Sequence, residues 1–256
     1  MTEFAFFFTD ERVVNFILLF TRIGSIFVFV PFFSSQTIYP SVKGAIAFLF
    51  TIVLYPILPP IIFELSADRV LFAVLSELAF GFAMGVIVQL VFAGMQYAGE
   101  HISFAMSLSM ATAMDPQSES NSTIITQFIY MFAILLTLAF DGHHLILAFL
   151  ARSIESVPLG VFVFGESYLL YVIKGFGWLF VIGLVVAFPI IALSLLSDIA
   201  FGMIMKTVPS FNLLVVGLPA RIFLSILVLT ATMASTAVLF RAEFMRGFNA
   251  LATLFN

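Results

Sequence analysis

The chain has 256 residues, of which 62% are hydrophobic and only 9% charged. Its mean hydropathy is +1.20. A soluble domain carries about 25% charge, so a soluble globular fold is excluded and an integral membrane protein is expected. The absence of cysteine removes disulfides, thiolate metal sites and cysteine nucleophiles. A net charge of −4 with scattered Lys and Arg leaves no basic patch for nucleic acid.

Crossing the hydrocarbon core takes about 20 mostly apolar residues, and six segments approach that length. The first, 13–30, follows MTEFAFFFTDER, which places acids and not lysines before the apolar run. That run reaches Val30-Pro31-Phe32 without a small-x-small cleavage site, so an uncleaved span is expected. Arg22 lies mid-span beside Thr21, Gly24 and Ser25, where a charge costs about 2.5–3.5 kcal/mol on insertion scales. It is expected to pair with a carboxylate or with carbonyl oxygens of a neighbouring subunit; a proton or ion relay is the open alternative.

The second segment, 45–58, is short and closed by Pro56 and then Pro59-Pro60, which favours a hairpin with the first. The third, 70–95, contains Gly81 and Gly85 at GxxxG spacing, a weak signal for close helix packing. Glu77 within it, like Lys174 further on, is expected to anchor the helix at an interface by snorkelling.

Next comes 99–122, GEHISFAMSLSMATAMDPQSESNS, a small, polar, methionine-dotted stretch in an oily chain. Ser103, Ser107, Ser109 and Thr112 lie on one side of it, and from Ile102 to Met114 larger residues alternate with smaller ones, which is a strand period. Ile102, Met106, Met110 and Met114 stand at helical i, i+4 spacing. Ala, Met and Leu dominate and β-branched residues are few, so a helix is expected, stopped at Asp115-Pro116. Asn121 or Ser122 is expected to cap the helix that begins at Ile124. The stretch is read as protein-facing or pore-facing. Its methionines suit a deformable seal and equally suit ordinary core packing, since thioethers fill gaps of many shapes.

The fourth segment, 124–140, leads to Asp141, His143 and His144. Adjacent histidines point about 100° apart on a helix and lack the i, i+4 spacing used for zinc, so no metal site is expected. Glycine-rich phosphate loops and hydrolytic constellations are missing from the sequence, and no enzyme activity or cofactor is expected. The fifth segment, 168–195, runs into a second Met-bearing piece, 193–212, expected as a hairpin with Lys206, Pro209 and Asn212 at a polar tip; an ordinary basic surface loop remains the alternative. The sixth, 213–240, carries Arg221 near its start. Basic residues Arg12, Arg69, Arg152, Arg241 and Arg246 fall on the side of both termini, against Lys43 and Lys206 opposite, which places the termini in the cytoplasm. Unpaired strands are untenable in lipid. The expected fold is therefore all-α, a polytopic membrane protein of helical hairpins with polar tips, forming a single domain over 1–256.

These pieces resemble a known family. They are Gly99-Glu100 with the Met/Ser run to Met114-Asp115-Pro116, then Gly142-His143-His144-Leu145-Ile146-Leu147, then Ala200-Phe201-Gly202 through Lys206, Pro209 and Asn212 to Gly217-Leu218-Pro219. In order and spacing, from about Arg22 to Pro219, the chain is similar to the FliR family of flagellar export gates and its SctT counterparts in injectisomes. Ser210, where the family often has glutamine, and Asp141, where asparagine is common, depart from its pattern. The resemblance implies a subunit that assembles with FliP and FliQ, alongside FlhB and FlhA, in the bacterial inner membrane at the flagellar basal body. Its substrates would be unfolded exported proteins, driven by an associated ATPase and the proton gradient. It further implies that Met106, Met110, Met114, Asp115 and Pro116, with hairpin tips such as that at Lys206, Pro209 and Asn212, help close the lumen, and that some apolar hairpins pack on partners above the bilayer; Arg22 and Arg221, as intramembrane charges, are read as subunit contacts. The rival from another class is a solute or ion transporter using Arg22, Glu77, Asp198 and Arg221, with helices broken near Pro189 and Pro219. A membrane scaffold without a pore is the third reading.

Overall fold

The computed structural model describes residues 11–34, 39–57, 66–108, 123–208, 210 and 212–255. Among them there are helices and no strand, so the chain is an all-α protein. In chain order they are α1 (Glu11–Phe29), α2 (Pro31–Ser34), α3 (Pro40–Leu54) with a 3-10 turn at Tyr55–Ile57, α4 (Ala67–Ala105), α5 (Ile124–Ala139), α6 (Gly142–Ser156), α7 (Glu166–Thr207) and α8 (Leu218–Leu254), the last entered through a π turn at Leu213–Gly217. Pro40 opens α3, where its missing N–H has no partner to lose.

The chain divides into two compact units. One comprises Met1–Leu90, Asp141–Gly175 and Phe244–Asn256; the other comprises Val91–Phe140 and Phe176–Glu243. In the first unit α1 lies against α3 through Phe16 and Phe48, ring centroids 5.6 Å apart. It lies against α4 where Gly81 and Gly85 leave room for backbone contact: a Cβ at Gly85 would meet the Phe29 carbonyl oxygen at 2.8 Å. The GxxxG spacing is thus a helix-crossing site. Leu18, Leu19, Ile23, Ile26, Phe80 and Met84 are fully buried there. The Phe80 ring meets Phe162 and Phe255 edge-on at 5.4 and 5.2 Å. In the second unit Phe92 gathers Tyr130 and Phe240 at 6.0 and 5.5 Å, beside buried Met95, Ala98, Ile102 and Ala133.

Among the described residues, five helical stretches are long and apolar enough to cross a membrane; α5 and α6 pass that test only together, as a broken span or a re-entrant pair. At 16 residues α5 measures about 24 Å, short of a core about 30 Å thick, so its expected independent crossing is not met by length. The long later helices reach further than their apolar segments. Helix α4 continues to Ala105, so the first residues of the 99–122 stretch prolong the third apolar segment. Helix α7 continues to Thr207 through Pro189, so the expected Met-bearing piece at 193–212 is an extension of the helix as far as Thr207. Hydropathy falls at Glu100, Asp198 and Arg241, but Ala, Met, Leu and Glu sustain a helix whether or not lipid surrounds it.

Candidate functional site

The deepest polar centre in the first unit is built on Arg22. The side chain is fully buried, and its guanidinium grips Glu77 with two bonds, Nε to Oε2 at 2.5 Å and Nη2 to Oε1 at 3.0 Å. Nη1 donates to the carbonyls of Ser153 and Val157 at 3.0 and 2.9 Å, and Nη2 donates to Pro158 at 3.4 Å. All five N–H groups of the fork therefore have acceptors. The Phe80 ring lies 4.5 Å from the guanidinium carbon, a cation–π contact. Glu77 Oε1 also accepts the Gly160 N–H at 2.6 Å; Gly160 takes φ 78°, which its missing Cβ permits. A cation placed on the last carbonyls of α6 complements the negative end of that helix. Two expectations are corrected here. Arg22 finds its carboxylate and its carbonyls in its own chain rather than in a neighbouring subunit, and Glu77 is a fully buried partner rather than an interfacial anchor.

A second polar centre, in the other unit, surrounds the two ends of the 109–122 segment. On the outgoing side, Ser103 on α4 shares a hydrogen bond with Thr123 Oγ1. Thr123, not Asn121 or Ser122, is the residue that caps α5: its Oγ1 accepts the Thr126 N–H at 3.4 Å and lies 2.8 Å from Thr126 Oγ1. Gly99 makes the approach feasible, since a Cβ there would sit 2.7 Å from Thr126 Cα. Beyond Ala105 the chain turns through Ser107 at φ 63°. Ser194 of α7 donates to the Ala105 carbonyl at 2.9 Å, and Arg221 of α8 donates from Nη1 to Ser107 Oγ at 3.1 Å while pairing with Asp198. Ser103, Thr123 and Ser194 were not singled out from the sequence as a clamp; only the close Gly99 and the Ser/Thr density hinted at one.

Of the expected closure residues, Met106 is fully buried within its unit. Met110, Met114, Asp115 and Pro116 lie outside the described residues, as does Pro209. Lys206 is exposed in the last turn of α7. Asn212 Oδ1 accepts the N–H groups of Leu214 and Val215 at 2.9 and 3.2 Å, capping the π turn. The four charges expected to share one solute site are sorted into two ion pairs, Arg22–Glu77 in one unit and Arg221–Asp198 in the other. Finally, Asp141 stands at the start of α6 in the left-handed region, φ 58°, with His144 Nδ1 at 3.3 Å from its Oδ1. Together with His143 it forms a group whose ligand atoms all lie within 4.8 Å of one another.

Comparison with known proteins agrees with the motifs. The family described as bacterial export proteins, family 1, matches residues 13–247. The flagellar biosynthetic protein FliR of Bacillus subtilis is 33% identical over 234 residues, covering 90% of each chain. Its namesake in Pectobacterium carotovorum is 31% identical, covering 85% of this chain and 83% of the relative. The Escherichia coli FliR is 28% identical over 91% of this chain and 89% of the relative.

Proposed function

The chain belongs to the bacterial export proteins, family 1, and from that membership we propose that it is a pore-forming subunit of the flagellar type III protein export gate. The observation that carries the reading is the 33% identity to the Bacillus subtilis FliR over nine-tenths of both chains. On this reading it sits as a multi-pass subunit in the bacterial inner membrane, at the flagellar basal body. There it assembles with FliP and FliQ, meets FlhB and FlhA, and passes unfolded proteins without doing chemistry on them.

The 109–122 segment is the closure element on this reading, with Met110 and Met114 as the adaptable seal and Asp115-Pro116 as its turn. Support comes from its fixed stems: Ser103 with Thr123 on one side, Ser194, Ser107 and Arg221 on the other. A seal must be held at both ends to press on whatever fills the lumen, and unbranched thioethers conform to many shapes. The polar tip at Lys206, Pro209 and Asn212 is proposed to face other export components. A solute carrier is disfavoured because Arg22, its best candidate, has every N–H already bonded within the fold.

The test is the native mass of the tagged chain extracted in mild detergent from its own cells. Recovery in a large complex with two other small hydrophobic proteins is expected; a stable monomer or homo-oligomer would overturn the gate. Within the assembled gate, the double variant Met110→Gly, Met114→Gly is expected to raise ion leak across the membrane. Unchanged conductance would remove the sealing role. Met106 is left out of that variant, because emptying a core position would test packing instead.

A further inference from the structure

We propose that Asp141, His143 and His144 form a binding site for a divalent transition metal of the zinc class at the start of α6. The three supply one carboxylate oxygen and two imidazole nitrogens, all mutually within 4.8 Å. Zinc bonds of about 2.0–2.2 Å to nitrogen and oxygen place tetrahedral ligand atoms about 3.4 Å apart. The Asp141–His144 pair already stands at 3.3 Å, so the remaining closure is a matter of side-chain rotation. The sequence spacing conceals this set, because adjacent histidines diverge on a regular helix. The irregularity lies at Asp141, just before the helix: its φ of 58° brings its carboxylate to His144, and within the helix the two imidazole centroids lie 4.1 Å apart.

The donor chemistry selects the ion. Two imidazoles with one carboxylate suit zinc, cobalt, nickel or copper, whereas magnesium and calcium want oxygen ligands. Asp141 and His144 are exposed and His143 half-buried, so an ion can reach the site and keep a position for water. The consequence within the unit is mechanical. Helix α6 is held at its C-terminal carbonyls by Arg22, and a bound ion would stiffen its first turn.

The experiment uses the full chain in its detergent-extracted form, stripped with a chelator, desalted and titrated with zinc chloride by calorimetry. One zinc per chain is expected, with affinity at least tenfold weaker in Asp141→Asn and in His144→Gln, and stoichiometric binding lost in the combination with His143→Gln. Binding that is unchanged in that triple variant, or a preference for magnesium or calcium, overturns the site. Cobalt titration of the unmodified chain gives a second readout that needs no variant. Intense visible d–d bands of a low-coordinate, nitrogen-ligated ion are expected, and a spectrum identical to aqueous cobalt counts against the proposal. Neither readout depends on export activity.

Discussion

At the scale of single residues, Arg22 shows how a charge is made tolerable inside an apolar fold. Insertion would cost about 2.5–3.5 kcal/mol for an unpaired guanidinium at a helix centre, yet here Glu77 takes two N–H groups and the end of α6 takes the other three. The arrangement is unforgiving of half-measures. Arg22→Ala strands a buried carboxylate, and Glu77→Ala strands a buried cation, so each is expected to destabilise the chain by about 3–5 kcal/mol. Replacing both with leucine is expected to recover part of that loss, because no uncompensated charge remains. Recovery stays partial, since the carbonyls of Ser153, Val157 and Pro158 lose their donor and Gly160 loses its acceptor. Thermal unfolding of the purified variants in detergent checks the cycle. Additive losses in the double variant would mean that the pair is not coupled. Arginine mid-span was legible in the sequence as a group needing a partner; Glu77 was not, because 55 residues separate them and a one-dimensional pattern carries no pairing information.

At the scale of elements, the sequence marks where helices cross better than where they end. Gly81 and Gly85 stand out by spacing alone, and the structure puts them against Ser25 and Phe29. Helix ends were misplaced because hydropathy measures a solvent preference, while the helix persists through Glu100 and Asp198 on backbone propensity. The 99–122 stretch divides accordingly: its first residues belong to α4, Met106 to the core, and the cap to Thr123. The crossing yields a contrast that separates packing from propensity. Gly85→Ala would put a methyl 2.5 Å from Phe29 Cβ and 2.8 Å from its carbonyl oxygen. Backbone atoms cannot step aside, so a loss of about 1–3 kcal/mol is expected. Gly24 lies in the same α1–α4 unit with nothing within 4 Å of its would-be Cβ. Gly24→Ala is expected to be neutral or stabilising by up to about 1 kcal/mol, from helix propensity. Melting temperatures that fall equally in both variants would show that the close approach does not hold the unit together.

At the scale of the whole molecule, helix length is the argument for partners. Helix α7 has 42 residues and so a contour of about 63 Å, roughly twice the hydrocarbon core. Laying all of it in lipid would need a tilt near 60°, beyond the 0–40° that spans adopt. Charges divide the helix naturally: the run 175–197 carries none, while Asp198 and Lys206 follow it. The apolar surface does not stop with the uncharged run. Leu184 and Phe188 are exposed within it, at 45% and 66%, but so are Ile199 and Met203 beyond it, at 63% and 66%. On the proposed gate assembly, lipid covers the first pair and partner protein the second. A chain without cysteine makes the distinction measurable, because any single introduced thiol is unique. With the chain expressed alone, Leu184→Cys and Phe188→Cys are expected to resist a membrane-impermeant maleimide applied to opened vesicles, whereas Ile199→Cys and Met203→Cys react. If the proposed gate assembly forms, co-expression with its other subunits is then expected to protect Met203→Cys. Resistance at all four positions in the chain alone would mean that lipid, not partner protein, covers the far half of α7, and the case for an assembly built above the bilayer would lose its physical basis.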